Sequence, residues 1–328
     1  MKLSIFIILF ILNLNAFEVQ EAENYERVFP NGKDLHKIIS FNTYLDNVVS
    51  SVVTIQITKG NYDKPVGAGS GVIISKDGYI VTNAHVIKDS KNVYVYLKDS
   101  KKRKKAKVIG FDRPNDIAVI KIKSSKLKAI KFVDSDTIKL SDLVFSVGNG
   151  FGLGTTVSMG IISALNKRSL GIYEYENLIQ TDATINPGNS GGALVNNRGD
   201  LIGINSALYT RSGGSNGVGF AIPSNTVKII ASSIIAHGKF ERGYFGASFD
   251  LKNEDNIIID SIDTQSPAYK SGLRKSDTII RINGKVIDEI GDVVYILGLK
   301  TPLTKISVTY LRNGKKKKTL VVLGKRKK

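Results

Sequence analysis

The chain has 328 residues, of which 42% are hydrophobic, and a formal net charge of +18. That apolar fraction is ordinary for a globular protein, and the length favours one large domain with a smaller one, or two of similar size. The sequence contains no cysteine, which excludes thiol catalysis, cysteine-based metal sites and a small fold held together by disulfides.

The chain begins with a segment typical of export. Lys2 precedes the apolar run LSIFIILFILNL, and the flank that follows Ala16 is acidic. The run is shorter than the roughly 20 residues that span a bilayer. Residues 1–16 are therefore predicted to be a signal peptide cleaved after Ala16, with an uncleaved anchor as the alternative. The protein is expected in the periplasm or cell envelope, and the polar residues 17–40 are predicted to form a flexible tether.

From about residue 41, short runs rich in Val, Ile and Tyr are separated by Gly, Asn and Asp. This pattern is typical of short β-strands and predicts a pair of β-barrels or a sandwich. Residues 223–237 differ, because their apolar positions have helical spacing between Pro223 and Gly238, and one helix is predicted there. The predicted strands cover 50–57, 69–75, 79–87, 92–98, 106–112, 116–122, 142–149, 157–165, 178–185, 192–196 and 200–208.

Lysine-rich runs occur at 101–107, 315–318 and 325–328. Aromatic residues are not interleaved with these lysines, and no nucleic-acid-binding motif accompanies them. The runs are therefore predicted to be solvated hairpin tips and a basic tail, with no specific nucleic-acid partner. Weak contact with an anionic membrane surface is the main alternative.

The segment DATINPGNSGGAL surrounds Ser190 with glycines, at Gly188 before it and at 191–192 after it. Glycine and asparagine adopt positive φ at low cost, so the segment is either an ordinary turn or a backbone that presents one hydroxyl. A serine becomes a nucleophile only when an oriented base removes its proton. The remaining titratable residues decide between these two interpretations.

Three histidines are available as that base: His36, His85 and His237. His36 lies in the tether, and His237 lies at a helix C-terminus, where an imidazole commonly complements the helix dipole. His85 ends an apolar predicted strand and is the candidate base. Asp116 opens another apolar strand and is the candidate carboxylate that would orient it, although it could simply end a turn. The order His85, Asp116, Ser190 is that of chymotrypsin-like enzymes.

Five segments of the sequence resemble the HtrA family of bacterial envelope serine proteases. They are TNAHVI, NDIAVIKI, GNGFGLGTTVSMGIISAL, TDATINPGNSGGALVN and GVGFAIPSN. The resemblance runs from about residue 45 to the C-terminus and implies a mostly β fold, with a chymotrypsin-like double β-barrel protease domain at 41–238. It also implies that His85 is the general base, Asp116 its orienting carboxylate and Ser190 the nucleophile.

The same resemblance assigns the groups that bind the substrate. An oxyanion hole is implied at Gly188, Asn189 and Ser190, in which the backbone N–H groups of Gly188 and Ser190 would hold the developing negative charge and Asn189 lies between them. Other residues would line the pocket or pair with the substrate as an extra strand: Ile185 and Leu208 in the pocket, and the backbone of Ser206 and Ala207 in the pairing.

Two departures from the trypsin pattern are informative. Trypsin-type enzymes carry an aspartate before the serine that pairs with a newly cut N-terminus, and here that residue is Asn189, which excludes this ion pair. Trypsin-like preference for Arg or Lys requires an acid at the base of the pocket, and here that residue is Thr184. Cleavage is therefore predicted after small or medium aliphatic residues such as Val, Ala or Ile.

Residues 239–328 resemble a smaller α+β PDZ domain with a basic tail, and a single copy is expected. A PDZ domain binds C-terminal peptides by adding them to a sheet edge, while loop N–H groups hold the terminal carboxylate. Some of the implied groove residues could instead be core residues. The implied carboxylate-binding loop is Tyr244, Phe245, Gly246 and Ala247, and the implied pocket is formed by Val293, Ile296 and Leu297.

The predicted function is that of a PDZ-regulated serine endopeptidase that cuts misfolded or signal-bearing envelope proteins, without a metal or nucleotide cofactor. The short connection at 58–65 implies a homotrimer, because long versions of this loop accompany large cages in the family. Two alternatives are a peptide-binding or chaperone-like module with an idle barrel, and a basic surface-binding protein.

Overall fold

The computed structural model describes residues 40–60, 64–98, 100, 102–149, 154–206, 217–251, 253 and 256–326. The predicted signal segment, nearly all of the predicted tether, and two predicted substrate-binding residues, Ala207 of the pairing strand and Leu208 of the pocket, lie outside these ranges. Among the described residues, no helix is long and apolar enough to cross a lipid bilayer.

A first closed barrel is formed by six antiparallel strands in the order β1-β2-β3-β6-β5-β4. Side chains alternate between its two faces, so the interior residues Ile55, Ile73, Ile80 and Ile120 are almost completely buried. The helix α1 (Asn42–Ser51) leads into the barrel. The strands are β1 (Val52–Thr58), β2 (Pro65–Ile73), β3 (Tyr79–Thr82), β4 (Asn92–Tyr96), β5 (Arg103–Asp112) and β6 (Ile117–Lys121).

A second closed barrel has the strand order β10-β11-β12-β9-β8-β7. One apolar cluster contains Val81 and Val119 from the first barrel together with Val147 and Ile204 from the second, so the two barrels pack against each other through their outer faces. The strands are β7 (Leu143–Gly148), β8 (Thr156–Lys167), β9 (Leu178–Thr181), β10 (Ala193–Asn196), β11 (Leu201–Ser206) and β12 (Gly219–Pro223).

The helix α2 (Ser224–His237) follows the second barrel and contacts both barrels. Its residues Val227, Ile230 and Ile234 recur at helical spacing and are fully buried in the cluster shared by the barrels. Gly238 ends the helix with φ of 75°, a left-handed conformation that glycine adopts without strain. The helix predicted at 223–237 is thus present.

Several local features differ from the strand pattern predicted from the sequence. The strand β12 (Gly219–Pro223) was not predicted, and the predicted strand 178–185 ends at Thr181. The helix α1 (Asn42–Ser51) was not predicted either, and it overlaps the start of the predicted strand 50–57. The predicted strand 79–87 ends at Thr82, and His85–Ile87 form one 3-10 turn. Most of the basic run 101–107 lies within β5 rather than at a hairpin tip.

The C-terminal unit has its own core, which includes Ile259, Leu273, Val308 and Val321. Its main sheet has the order β14-β15-β16-β18-β19, so β14 lies at one edge. The elements are β13 (Gly243–Tyr244), β14 (Ala247–Phe249), β15 (Ile257–Ile262), α3 (Pro267–Lys270), β16 (Thr278–Ile282), β17 (Lys285–Val286), α4 (Ile290–Gly298), β18 (Lys305–Arg312), β19 (Lys315–Val322) and β20 (Gly324–Lys325).

The two units contact each other through charged and apolar groups. Arg242 donates to both carboxylate oxygens of Asp112 at 2.7 Å, a bidentate geometry that is stronger than a single contact. Arg168 of the protease unit pairs with Asp292 at the start of α4. Phe240 and Leu299 are buried in the cluster shared by the two barrels.

Candidate active site

His85 and Asp116 form a close pair at one end of the first barrel. His85 Nδ1 lies 2.6 Å from Asp116 Oδ2, and the backbone N–H of His85 donates to Asp116 Oδ1 at 2.9 Å. The Asp116 side chain is 6% exposed, whereas the His85 side chain is 44% exposed. The carboxylate is therefore buried behind the ring, and the ring keeps a face open toward solvent.

Asp116 has a left-handed backbone conformation that sets the position of its side chain. It follows the 3-10 turn Arg113–Asn115, which is capped by the Asp112 side chain, and has φ of 55°. Aspartate tolerates this left-handed conformation better than most residues. The main-chain carbonyl of Asp116 also accepts the N–H of Ala84 at 3.1 Å, which ties it to the segment that precedes His85.

Ser190 is brought from the second barrel to the same place. Its carbonyl accepts the N–H of Ser70 at 2.8 Å, and the N–H of Gly191 donates to Asn205 O at 2.8 Å. Gly191 has φ of 80°, and a side chain there would lie 2.3 Å from Thr82 Oγ1, next to the segment that leads to His85. In the described part of the chain, no hydrogen bond joins Ser190 Oγ to His85, and such contacts often tighten only when substrate binds.

The turn before Ser190 contains a left-handed glycine and one internal main-chain hydrogen bond. Gly188 has φ of 96°, and the N–H of Asn189 donates to Asn186 O at 2.9 Å. Among the described residues, the N–H groups of Gly188 and Ser190 donate to no main-chain carbonyl. These are the two donors that the sequence analysis singled out, while the N–H of Asn189 supports the turn.

Ser70 organises this turn, and the sequence analysis missed it. Its buried hydroxyl donates to Gly188 O at 2.7 Å and accepts the N–H of Asn149 at 2.8 Å. Its own carbonyl accepts the hydroxyl of Thr82 at 2.6 Å. The available signal was a serine inside an apolar strand, because a buried hydroxyl there must find partners.

Among the described residues, the Asn189 side chain has only neutral hydrogen-bond partners, where trypsin-type enzymes use a charge. Its side-chain amide donates to Thr184 O, and its Oδ1 accepts from the Thr156 hydroxyl, both at 3.5 Å. Gly148 lies against the side chain of Asn189 so closely that a Cβ there would meet Asn189 Oδ1 at 2.8 Å. Packing and neutral hydrogen bonds therefore hold this residue.

Two of the predicted substrate-binding residues are described. Ile185 is buried and packs against Gly219, where an added Cβ would lie 2.9 Å from Ile185 Cδ1. Ser206 ends β11, and the pairing of β11 with β10 reaches only Ile204, so Ser206 lies beyond that ladder. The side chain of Ser206 contacts the Tyr173 hydroxyl, a second residue that the sequence analysis missed.

The predicted carboxylate-binding loop at 244–247 lines a cavity of about 430 Å³, together with Arg242 and Arg326. Gly246 has φ of 84°, and a Cβ at this position would lie 2.1 Å from Ser266 Cβ. The predicted groove residues on α4 have little solvent-exposed surface. Val293 is 1% exposed within the core, whereas Ile296 and Leu297 are half-buried against it.

Comparison with known proteins shows the same organisation. Residues 69–204 match the trypsin-like peptidase domain, and residues 243–323 match the PDZ domain. A probable periplasmic serine endoprotease DegP-like from Chlamydia trachomatis is 40% identical over 258 residues, covering 75% of this chain and 52% of that protein. The periplasmic serine endoprotease DegP of Salmonella typhimurium is 43% identical over 269 residues, covering 78% and 56%. The chain spans about half the length of these curated relatives.

The HtrA-type protease AlgW, solved with a tripeptide, matches with a TM-score of 0.74 and 37% identity, covering 88% of this chain and 98% of that one. The chain belongs to the HtrA family of proteases. The serine endoprotease from Yersinia pestis matches with a TM-score of 0.66 and 33% identity over 88% of this chain and 98% of that one. The predicted mostly β fold, with a chymotrypsin-like double barrel and a PDZ domain, is confirmed for this HtrA-family chain, as is the periplasmic location carried in the relatives' names.

Replacing Ser70 with alanine is expected to slow covalent labelling of Ser190 by a fluorophosphonate about tenfold. The substitution leaves Gly188 O and the N–H of Asn149 without their partner, which loosens the turn that aims the oxyanion donors. The free energy of unfolding should fall by about 1–3 kcal/mol. Ser233→Ala, which removes a hydroxyl that donates to Lys239 O at 2.9 Å far from the site, is the control. Labelling of Ser70→Ala at the control rate would contradict this role.

Proposed function

We propose that this HtrA-family protein is a PDZ-regulated serine endopeptidase that hydrolyses peptide bonds of misfolded or signal-bearing proteins in the envelope. The observation that carries the proposal is the 2.6 Å pair of His85 and Asp116 beside the Ser190 turn, between the two barrels. The membership of the chain in a protease family supports it. A role in protein quality control or the stress response follows from this activity.

In this proposal His85 keeps its Nδ1–H on Asp116, which leaves Nε2 free to accept the proton of Ser190. Ser190 Oγ then bonds to the scissile carbonyl carbon, and the carbonyl electron pair moves to its oxygen, where the N–H groups of Gly188 and Ser190 hold it. Collapse of this intermediate breaks the C–N bond, and the amine leaves with the proton from His85. Water then adds to the acyl carbonyl while His85 accepts its proton; collapse of this second intermediate breaks the bond to Ser190 Oγ, His85 returns the proton to Ser190, and the acid is released.

The pocket chemistry supports cleavage after small or medium aliphatic residues. Ile185 supplies an apolar wall, with Leu208 as its proposed companion, and the exposed Thr184 brings no charge to the position that would attract Arg or Lys. The backbone of Ser206 and Ala207 would pair with the substrate as an additional strand, because Ser206 lies beyond the β10–β11 ladder.

The PDZ unit is proposed to bind C-terminal peptides along the edge strand β14. The terminal carboxylate would meet the N–H groups of the loop at 244–247, with Arg326 adding positive charge at the same cavity, since Arg242 is already paired with Asp112. The side chain of the last peptide residue would lie against α4, at Val293, Ile296 and Leu297.

Wild-type protein is expected to degrade an unfolded protein such as reduced casein, whereas Ser190→Ala should lose at least about a thousandfold in rate because the nucleophile is gone. Mass spectrometry of the products should place the cuts mainly after Val, Ala and Ile. Cuts mainly after Arg and Lys would contradict the proposed pocket. A wild-type protein that neither cleaves nor reacts with a fluorophosphonate would instead favour a peptide-binding module with an idle barrel.

Gly246→Ala is expected to weaken binding of a C-terminal peptide at least about tenfold, because the new Cβ collides with Ser266 and reshapes the carboxylate loop. The probe is a fluorescent decapeptide that ends in Val, compared with its C-terminal amide by fluorescence anisotropy. Gly284→Ala is the matched control, since Gly284 has φ of 83° but no atom within 4 Å of an added Cβ. Equal affinity of the two variants, or equal binding of acid and amide, would refute the assignment of this loop.

Two finer proposals concern partners. A homotrimer is proposed because only residues 59–64 connect β1 to β2, and long versions of this connection accompany large cages in the family. Light scattering after gel filtration should give three times the chain mass.

Weak contact with an anionic membrane surface is proposed because Lys315–Lys318 are all exposed on β19. Vesicles containing phosphatidylglycerol should then retain the protein at low salt and release it at high salt, and no retention would dismiss the contact.

A further inference from the structure

The Tyr173 hydroxyl lies between the catalytic pair and the substrate strand. It donates to Asp116 Oδ2 at 3.0 Å, the same oxygen that faces His85 Nδ1. It also contacts Ser206 Oγ at hydrogen-bond distance. A phenol has one proton, and because that proton goes to the carboxylate, the Ser206 hydroxyl must be the donor in the second contact.

The phenol is suited to remain a donor. Burial of Tyr173, and then the negative charge of Asp116, raise the pKa of this phenol far above its ordinary value. Tyr173 therefore keeps its proton at neutral pH. The hydrogen bond to Asp116 does not depend on titration of the phenol.

A buried carboxylate holds Tyr173 in place. The Glu176 side chain accepts the backbone N–H groups of Leu170, Ile172 and Tyr173, the last at 2.7 Å. Three donors converging on one carboxylate fix the backbone of this segment before any substrate arrives. The same segment is tied to the residue beside Asp116, because Asn115 Nδ2 donates to Tyr175 O at 2.7 Å.

We propose that Tyr173 is a positioning residue of the catalytic apparatus, acting on Asp116 and linking it to Ser206. Asp116 Oδ1 is held by the backbone N–H of His85, and Oδ2 is held by the phenol, so each oxygen has a donor besides the His85 ring. These donors restrict rotation of the carboxylate and keep Oδ2 directed at the imidazole. This inference rests on the proposed protease activity. It adds Tyr173, which is not one of the three residues of the proposed triad.

The test is Tyr173→Phe, which keeps the ring and removes only the hydroxyl. With a short fluorogenic peptide that carries Val before the cleaved bond, kcat is expected to fall about tenfold, equivalent to about 1.4 kcal/mol of barrier, while KM stays within about twofold. The change falls on kcat because the phenol touches Asp116 and not the scissile bond. Fluorophosphonate labelling of Ser190 should slow by the same factor. Thermal unfolding checks that the variant is folded, and Tyr310→Phe, in the PDZ core, controls for the loss of a buried phenol hydroxyl.

A double-mutant cycle with Ser206→Ala distinguishes positioning from a general loosening of the structure. If the Ser206 hydroxyl acts through the phenol, Ser206→Ala lowers kcat in the wild-type background but has no further effect in the Tyr173→Phe background. Wild-type kcat in Tyr173→Phe, a change confined to KM, or additive effects of the two substitutions would each overturn the proposal. In all three cases wild-type cleavage continues and the proposed function stands, whereas a wild-type protein with neither cleavage nor labelling would remove both.

Discussion

The buried charge of Asp116 is the constraint around which the rest of the site is arranged. An ionised carboxylate taken out of water costs several kcal/mol unless donors satisfy it. Here the donors come from the backbone of His85, from its ring and from Tyr173, which belong to two different barrels. The first barrel alone pairs Asp116 with His85, and only packing of the second barrel adds the third donor, the Tyr173 hydroxyl. Full satisfaction of the buried carboxylate therefore requires both barrels.

The turn that carries Ser190 also requires the backbones of the two barrels to approach each other closely. Gly191 leaves room for Ser70 O and Thr82 Oγ1, each within 2.3 Å of where a Cβ would stand. Ser70 then bonds to the chain on both sides of Asn189, through Gly188 O and Ser190 O. The glycines around Ser190 thus do two things at once. They allow the turn its positive φ angles, and they let one strand of the other barrel hold that turn in register.

Local pattern predicted most strands of the double barrel, because alternation with frequent turn residues reflects a face buried in each barrel. It failed where burial did not follow a simple period. The helix α1 buries three of its ten residues, too few to distinguish it from a polar connection. The segment after β3 is apolar enough to resemble a continuing strand, but it turns at His85 because Val86 and Ile87 are needed in the barrel interior. Arg103, Lys105 and Lys107 occupy the exposed face of β5, which charge alone could not distinguish from a hairpin tip.

The sequence by itself determined which residue types were available and in what order: one histidine among apolar residues, one aspartate before an apolar strand, and one serine among glycines. These features are local, and with the family segments they were enough to name His85, Asp116 and Ser190. Only the tertiary structure brought Ser70 to the turn and Tyr173 to the carboxylate, across 118 and 57 residues of chain. A serine inside an apolar strand indicates that the Ser70 hydroxyl must find a partner, but not which one, because a hydroxyl acquires its role from the group that packing places beside it.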